Sequence, residues 1–413
     1  MGAPSVGTEA AEAAGRLLAL IRDGKASSRP AIERVSGLSR VTVVQRLRRL
    51  LDARLVIEGD ETEASGGRPA RLIRVNPDFA VALAADVGES MIRVAATDLA
   101  PRILAETVFD LDVASGPHAT LREIVRAARN LLSELGASGR RTLGIGVSLP
   151  APVNHAAGRV VGPSVMRGWD DFDVCRFLSD ELGAPALVDN DVNLMALAEF
   201  RQFWPRSGHF LFIKAGTGIG SGIILDGALY RGARGASGDI GHIQFEEASA
   251  PLCRCGKFGC VEARAAGWAI ARDLRANGFD AQNARDVIAL VEQREPDAIR
   301  RVREAGRVLG EVAADVVSVL NPTTIVIGGT LSRAGEHLLA GVKEMIYRRS
   351  LPLALEGLGV FRARSDDRAG VLGAAHLVID AALAPEALGG TIERLTEGEA
   401  GPRTAATRQV GGP

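Results

Sequence analysis

The most informative part of this 413-residue chain reads Gly241-His242 and, slightly further on, CRCGKFGCVE over residues 253–262. It contains three of the chain's four cysteines, close to one histidine. Three thiolates and one imidazole suit tetrahedral zinc, and a shell with no open position is structural rather than catalytic. The glycines of the loop allow it to curl until all three sulfurs reach one ion. The alternative is a chance cluster of reduced surface cysteines; we predict a structural zinc site.

The composition indicates a globular chain with several domains. Its length exceeds what one ordinary core supports, so two or three domains are expected. Hydrophobic residues make up 46%, which is normal for a folded protein. The sequence has no apolar run of about 18 residues and no signal-peptide pattern, so we expect a soluble cytoplasmic protein with no membrane partner. Four cysteines are too few for a disulfide framework, and the isolated Cys175 is expected to be a small buried hydrophobe.

The net charge of −1 hides a basic N-terminal region. Between Arg16 and Arg74 there are thirteen Arg and Lys residues against seven Asp and Glu residues. A basic module on a mildly acidic body is typical of an arm that binds a polyanion.

The same region has the pattern of a winged helix-turn-helix over residues 13–75. Apolar spacing predicts helices over 13–23, 29–36 and 40–53, with Ser39 as the N-cap of the third helix. In that third helix the apolar side chains share one face, and a polar face lies roughly 130° away. We predict that the polar face contacts base edges and phosphates, through Ser39, Arg40, Thr42, Gln45, Arg46 and Arg49.

Two strands, over 55–58 and 70–75, would form the wing. The loop between them contains Gly66-Gly67-Arg68-Pro69, a flexible basic tip able to enter a minor groove, so Arg68 joins the predicted DNA contacts. The alternative is a small helical packing domain whose arginines form a solvated face. The order of the elements, the charge excess and the basic loop together favour DNA binding.

An α/β domain is expected after the Asn76-Pro77 boundary, over residues 79–384. In it, apolar strands such as 142–149 alternate with segments of helical periodicity. Residues 1–12 are small and polar and are expected to fray. Residues 385–413 are rich in Gly, Thr, Glu and Pro and are predicted to form a disordered tail.

The Gly-His…Cys-x-Cys-Gly-x-x-Gly-Cys-x-Glu element resembles the signature of the ROK family, which joins bacterial sugar kinases and sugar-responsive repressors. The resemblance extends from the Arg29–Arg74 region through Gly373. It implies a two-lobed, actin-like ATPase fold with a sugar site in its cleft, preceded in the repressors by a winged helix-turn-helix. It also implies that the zinc ligands are His242, Cys253, Cys255 and Cys260.

The resemblance suggests which residues would bind a sugar. Asn190 and Asp191 follow a predicted strand, and the matching family residues bind sugar hydroxyls; in the kinases the Asp also deprotonates the accepting hydroxyl. A carboxylate suits both tasks, so Asp191 alone does not separate a sugar binder from a kinase. An Asx cap on the following helix is the structural alternative, and both roles can coexist. The full predicted set is Asn190, Asp191, Asp239, His242 and Glu262.

Two departures from the family pattern indicate an altered sugar preference. Asp239 stands where the family usually has Glu, and one methylene less shortens its reach by about 1.5 Å. Ser164 stands where the family often has Asn.

A third departure concerns nucleotide binding. The family kinases cradle phosphates with Asp-x-Gly-Gly-Thr on the first hairpin, whereas this chain has Asp86-Val-Gly88-Glu89-Ser90. Glu89 replaces the glycine that permits close backbone approach and adds a negative charge. A like-charge contact at 4 Å costs on the order of 4 kcal/mol at an effective dielectric of about 20, or roughly a thousandfold in affinity. The glycine runs at 216–222 and 328–329 remain, but neither is specific evidence for ATP.

These observations predict a transcription regulator rather than an enzyme. We expect a homodimer or homotetramer that binds a double-stranded DNA operator, most simply as a repressor of carbohydrate genes, with a sugar or sugar derivative closing the cleft between the lobes. The competing hypothesis is an ATP-dependent sugar kinase with an attached DNA-binding domain, in which Asp191 is the base. A partner protein as the signal also remains open.

Overall fold

The computed structural model describes residues 6–63, 70–89, 91–136, 141–162, 166–245 and 250–397. Among these residues, no helix is both long and apolar enough to cross a membrane. The sequence predictions made for Arg68, Ser90 and Ser164 lie outside the described residues.

The N-terminal region contains three helices and a hairpin, as predicted: α1 (Val6–Arg22), α2 (Arg29–Ser36), α3 (Arg40–Asp52), β1 (Val56–Glu63) and β2 (Ala70–Val75). The turn between α2 and α3 depends on Gly37, whose φ of 67° is the left-handed conformation that glycine tolerates. Ser39 caps α3 by accepting a hydrogen bond from the Thr42 N–H at 3.3 Å. The two strands pair antiparallel.

The first helix begins earlier than the sequence suggests. The expectation that residues 1–12 fray is wrong from Val6 onward, where α1 starts. Its first turns are rich in Ala and Glu, which are strong helix formers. Further along, Ala14, Leu17 and Leu18 are buried, so packing against the rest of the molecule supports the helix.

The first lobe of the α/β region is built on a five-stranded sheet. In chain order its elements are β3 (Val81–Val87), β4 (Met91–Thr97), β5 (Ile103–Asp110), α4 (Pro117–Glu134), β6 (Thr142–Leu149), the short hairpin β7 (Val153–Asn154) and β8 (Arg159–Val160), α5 (Val174–Leu182) and β9 (Ala186–Asn190). The strand order is β5-β4-β3-β6-β9, with β3, β6 and β9 parallel. Because parallel strands end at the same edge of a sheet, Asp86 and Asn190 lie at the same side of this lobe.

The second lobe repeats the five-stranded plan. Its elements are α6 (Asp191–Phe203), β10 (His209–Ala215), β11 (Ile219–Leu225), β12 (Ala228–Tyr230), α7 (Val261–Ala265), α8 (Gly267–Ala276), α9 (Ala284–Glu292), α10 (Pro296–Leu320), β13 (Thr324–Gly328), α11 (Glu336–Arg349), α12 (Pro352–Leu355) and β14 (Gly359–Arg362). The strand order is β12-β11-β10-β13-β14.

Two helices join the lobes. α13 (Ala369–Ala382) packs on β3 and β6 of the first sheet, and α6 packs on α13 and on β11 of the second. Glu199 of α6 is fully buried. Its carboxylate accepts hydrogen bonds from the backbone N–H groups of Arg364 and Ser365 at 3.0 and 2.8 Å. These bonds fix the connection from β14 to α13, where the chain crosses between the lobes.

The N-terminal helices share one apolar core with the first lobe. That core combines Leu17 and Leu18 of α1, Leu47 of α3, Ala84 of β3 and Leu377 of α13, all buried. The core therefore continues across the predicted boundary at residues 76–77.

The predicted disordered tail is wrong over its first part, because residues Leu388–Glu397 form a helix, α14. Leu388 and Leu395 of this helix are buried in the shared core. Arg394 donates to the carbonyl oxygens of Thr142 and Leu143 at 3.2 and 2.7 Å. The polar composition concealed an amphipathic pattern whose apolar side is covered by α1.

Candidate functional site

The predicted metal ligands lie together. The ligand atoms of His242, Cys253, Cys255 and Cys260 are all within 4.8 Å of one another. The Cys255 and Cys260 sulfurs are 3.7 Å apart, and the Cys253 sulfur is 3.9 Å from Nδ1 of His242. Two thiolates of a tetrahedral zinc site with bonds of about 2.3 Å lie about 3.8 Å apart. These four side chains could therefore hold one metal ion.

The chemistry of the cysteines also suits a cation. Cys253 and Cys260 are buried, whereas Cys255 is exposed. Burial raises the pKa of Cys260 to about 12, and it also raises the pKa of Cys253. The pKa of Cys255 is lowered instead, because its burial is outweighed by hydrogen bonds from the Lys257 backbone and the neighbouring thiols. Since thiolates are the metal-binding form, a cation would have to displace the protons of Cys253 and Cys260.

A hydrogen bond links the loop of the metal cluster to the glycine-rich turn between β10 and β11. Glu262, two residues beyond Cys260, accepts a hydrogen bond from the Ile219 N–H at 3.1 Å and one from Trp268 Nε1 at 3.4 Å. Gly241 lies so close that a Cβ there would be 2.3 Å from the carbonyl oxygen of Ile219. His242 turns Nδ1 toward the sulfurs, which leaves Nε2 for another partner.

Asn190 caps α6. Its side-chain oxygen accepts from the N–H groups of Val192 and Asn193 at 3.0 and 3.4 Å, and its amide nitrogen donates to the Ala151 carbonyl at 3.1 Å. The Asx-cap alternative is therefore confirmed, and these bonds leave Asn190 less hydrogen-bonding capacity for a sugar.

Asp191 forms an ion pair that the sequence analysis did not anticipate. Its Oδ2 accepts from Nζ of Lys214, and the two side chains are only 12% and 22% exposed. Lys214 lies near the end of β10, next to the glycine turn, and it is the charged residue of an otherwise apolar stretch. The signal in the sequence was a charged lysine within an apolar strand, because a buried charge needs a partner.

Asp86 lies near the Asp191–Lys214 ion pair. It is the last residue but one of β3 and accepts a hydrogen bond from the Ser148 hydroxyl at 2.5 Å. Burial raises its pKa to about 6, partly opposed by the Ser148 hydrogen bond, and the nearby Asp191 carboxylate raises it further. A Cβ on Gly370 would lie 2.3 Å from this carboxyl group, so glycine is required where α13 approaches it.

Asp189 was also missed as a site residue. It is 1% exposed, and its carboxylate accepts from Arg231 Nε at 2.6 Å and from Asn193 Nδ2 at 2.9 Å. Arg231 follows β12 of the second lobe, whereas Asp189 lies in β9 of the first. This ion pair therefore connects the two lobes.

Glu89 faces a cation. Its carboxylate is 3.6 Å from the guanidinium of Arg254, which lies between two of the clustered cysteines. The charge argument against a bound phosphate is therefore weaker than the sequence suggests, since Arg254 compensates part of the charge. The ion pair instead links the first hairpin with the metal loop.

Of the other predicted sugar ligands, Asp239 is exposed, on the turn before His242. The contacts described above place Asp191, His242 and Glu262 around one feature, the β10–β11 turn, because Lys214 precedes that turn and Ile219 follows it.

The predicted DNA-contacting face lies on α3. Arg40, Gln45 and Arg49 are exposed, whereas Thr42 and Arg46 are half-buried. The exposed Ser39 hydroxyl lies 2.9 Å from the Thr42 hydroxyl. Val43, Leu47 and Leu50 form the buried side, as the periodicity predicts. The same helix also exposes Val41 and Val44 by 67% and 43%, two apolar side chains that the sequence analysis passed over.

Comparisons with known proteins agree on the family. The ROK family model matches residues 82–381. The xylose repressor of Caldicellulosiruptor bescii is 25% identical, over 88% of this chain and 94% of its own. A glucokinase of Halalkalibacterium halodurans is 32% identical, over 71% of this chain and 93% of its own.

A solved structure matches the whole architecture. It is the crystal structure of a ROK family transcriptional regulator, a homologue of the E. coli MLC protein, with 27% identity and a TM-score of 0.79. The match covers 94% of this chain and all of that one, so the expected fold, an N-terminal helical domain before a two-lobed α/β domain, is confirmed. Both the family model and the relatives give the same result: this chain belongs to the ROK family.

Proposed function

We propose that this chain is a DNA-binding transcriptional regulator, in the manner of a repressor, whose operator affinity is controlled by a sugar in the cleft. The observation that carries the proposal is that similarity to a regulator extends over both lobes and over the N-terminal region from α1 to β2, which we call the reader, with 94% of the chain covered by the solved regulator. The glucokinase matches only 71% of it.

The reader supplies the DNA contacts in this proposal. Its α3 offers Arg40, Gln45 and Arg49 to solvent beside the buried side that holds the helix in place. Arginine and glutamine are donors suited to base edges and phosphates. The exposed Val41 and Val44 are suited to the methyl groups of thymine. Ser39, Thr42, Arg46 and the wing residue Arg68 complete the proposed surface.

The sugar site is proposed to surround the β10–β11 turn. Asp191, His242 and Glu262 keep free acceptor or donor atoms after their described bonds. Asn190 and Asp239 remain in the proposed set. Asn190 contributes chiefly as the N-cap of α6.

Helix α6 supports a coupling between the two sites. It begins at Asp191 and is about 20 Å long. Near its other end Arg201 lies 3.8 Å from Asp23, which directly follows α1, and 2.8 Å from Asp380 of α13. A sugar that shifts Asp191 would therefore bias the position of α1 and of the reader, provided that it binds one arrangement better.

Zinc is the proposed occupant of the Cys3His cluster. It would be held by His242, Cys253, Cys255 and Cys260, and would keep the loop that carries Glu262 in shape. A homodimer is the proposed assembly, because two readers match the two halves of a palindromic operator.

A sugar kinase is the less favoured function. In the kinase hypothesis Asp191 is the base that accepts the proton of the sugar hydroxyl, but here its carboxylate is already engaged with the Lys214 ammonium. Glu89 also occupies the first phosphate loop.

The test uses the full chain and duplexes selected on it from a random pool. Fluorescence anisotropy of the selected duplex is measured against pentoses, hexoses and N-acetylated amino sugars, and ADP release is measured with the same sugars and ATP. We expect one sugar to change the duplex affinity at least about tenfold, an ordinary allosteric coupling, with no ADP release. Absence of duplex selection, or turnover near 1 s⁻¹ as enzymes typically show, would contradict the proposal.

A further inference from the structure

Lys214 is a largely buried charged side chain, 22% exposed, with no role in the function proposed so far. Its ammonium is paired with Asp191, and both side chains are largely shielded from water. Lysine is almost never buried without a specific partner. Packing alone therefore does not explain why a lysine stands at this position of the strand.

The ammonium faces carboxylates from two other parts of the chain. Burial would lower the pKa of Lys214, but Asp191, then Asp86 and Glu89, raise it above its ordinary value. Asp86 lies one residue before the end of β3, Glu89 lies in the hairpin after it, and Asp191 begins α6. Lys214 thus faces three acids, of which Glu89 also pairs with Arg254, and it stays protonated across the physiological range.

The ion pair leaves both partners able to bind more. An ammonium has three donors and a carboxylate about four acceptor positions, and the described bond between them uses one of each. A sugar hydroxyl both donates and accepts. Beside this pair it can donate to Asp191 while it accepts from Lys214.

We infer that Lys214 is a specificity-determining residue of the effector site, which together with Asp191 recognises one hydroxyl of an uncharged sugar. The inference rests on the proposed function. Lys214 is already paired with Asp191 and also faces Asp86, while Arg254 compensates Glu89, so a phosphate or carboxylate on the ligand finds no excess of positive charge at this pair. The effector class is therefore a neutral sugar rather than a sugar phosphate or sugar acid.

A purely structural role for Lys214 makes different predictions. If it only neutralised Asp86, Glu89 and Asp191, its loss would lower the thermal midpoint and weaken all ligands alike. A direct contact instead weakens the sugar by the contribution of one particular hydroxyl. Deoxy analogues of the effector distinguish the two.

The experiment measures sugar affinity by isothermal titration calorimetry on full-length Lys214→Met and Lys214→Gln, with Lys343→Met as control. Lys343 is a helix lysine 3.5 Å from Glu336, outside the cleft. We expect Lys214→Met to weaken the effector about 10- to 100-fold, as for one hydrogen bond to a charged group, and Lys214→Gln, which keeps a donor, to lose less. Lys343→Met should match the wild type.

Monodeoxy analogues of the sugar, measured on the wild type and on Lys214→Met, give a double-mutant cycle. For one of them, the loss on combining the analogue with Lys214→Met should be smaller than the sum of the two separate losses, because both changes remove the same hydrogen bond. Losses that add for every analogue, or a 6-phosphate that binds the wild type more tightly than the neutral sugar, would overturn the inference. The comparison of the 6-phosphate with the neutral sugar uses only the wild type, so it does not depend on whether a variant folds. If the wild type binds no sugar, the proposed function itself is wrong. If the wild type binds a sugar and Lys214→Met binds it with the same affinity, only the role of Lys214 is wrong.

Discussion

Arg201, in the last turn of α6, donates to the Asp380 carboxylate of α13 at 2.8 Å. The same carboxylate lies 3.4 Å from Arg22, the last residue of α1. Three helices therefore meet at one acidic side chain, and one of these helices begins at the proposed sugar site. In the proposed function, this junction is where a change at the sugar site would reach the reader.

Replacing that acid should uncouple the two sites. We expect Asp380→Asn to reduce the sugar-induced change in operator affinity at least about fivefold, equivalent to about 1 kcal/mol of coupling, while affinity for the sugar itself changes little. Duplex affinity is measured with and without effector. Asp315→Asn, which faces Arg349 at 3.4 Å on the second lobe, is the matched control. A full response in Asp380→Asn would remove the junction from the signal route.

The exposed arginine of the reader should act through phosphates or bases. Arg49→Ala is expected to weaken duplex binding and to reduce the slope of log affinity against log salt by about 0.9 if one phosphate contact is lost. Arg176→Ala is the control, since that arginine is 80% exposed on α5, beside Asp180. An unchanged salt slope together with unchanged affinity for Arg49→Ala would mean that another face of α3 meets DNA.

The metal proposal predicts zinc near one ion per chain in protein purified without chelator. Cys260→Ser should lower this content and destabilise the loop, because it removes a buried ligand. Cys175→Ser should retain full zinc, since Cys175 lies outside the cluster. Elemental analysis by mass spectrometry checks both. Equal zinc in the two variants, or none in the wild type, would contradict the assignment.

Asp86 should make stability depend on pH. Burial raises its pKa from 3.8 to about 6, so the folded chain holds this proton more tightly than the unfolded one. The resulting stabilisation is present below about pH 4 and is lost as the pH rises through about 6. A shift of this size corresponds to at most about 3 kcal/mol, and to less here because Asp86 keeps some contact with solvent.

The variant Asp86→Asn does not titrate. Its free energy of unfolding, relative to the wild type, should therefore rise between about pH 4 and pH 6.5. Urea unfolding at several pH values measures this, with the exposed Asp180→Asn as control. A constant difference across the range would show that Asp86 titrates as it would in water.

The C-terminal helix should stabilise the reader. A chain ending at Glu386 loses the buried Leu388 and Leu395, which at about 1.5–3 kcal/mol each amounts to about 3–6 kcal/mol. A chain ending at Glu397 keeps the helix and should unfold like the full protein. Calorimetric midpoints compare the two truncations. Equal midpoints would mean that α14 contributes nothing to the shared core.

Local signals explain what the sequence predicted well. The bounds of α2, the Ser39 cap and the buried side of α3 follow from residues near one another in the chain. The metal cluster is also local, since its cysteines fall within one short loop. For such features, periodicity, capping and ligand type are sufficient.

Other features depend on contacts between distant residues. Lys214 meets Asp191, Arg231 meets Asp189, and Arg254 meets Glu89, and no spacing rule specifies these pairs. Helix α14 was missed for a related reason, because its few apolar residues are significant only once α1 lies over them. The sequence offered two roles for Asn190 that can coexist, and the geometry confirms the cap.

The core shared by α1, α3, β3, α13 and α14 has a consequence for how this protein could be recombined. A reader cut at residue 76 and grafted onto another sensor would leave Leu17, Leu18 and Leu47 without the side chains that cover them. A functional exchange must therefore carry α13 and α14 along with the reader, although these helices lie some three hundred residues away in sequence. The part of the chain that must be transferred with the reader is therefore discontinuous, because it also includes α13 and α14.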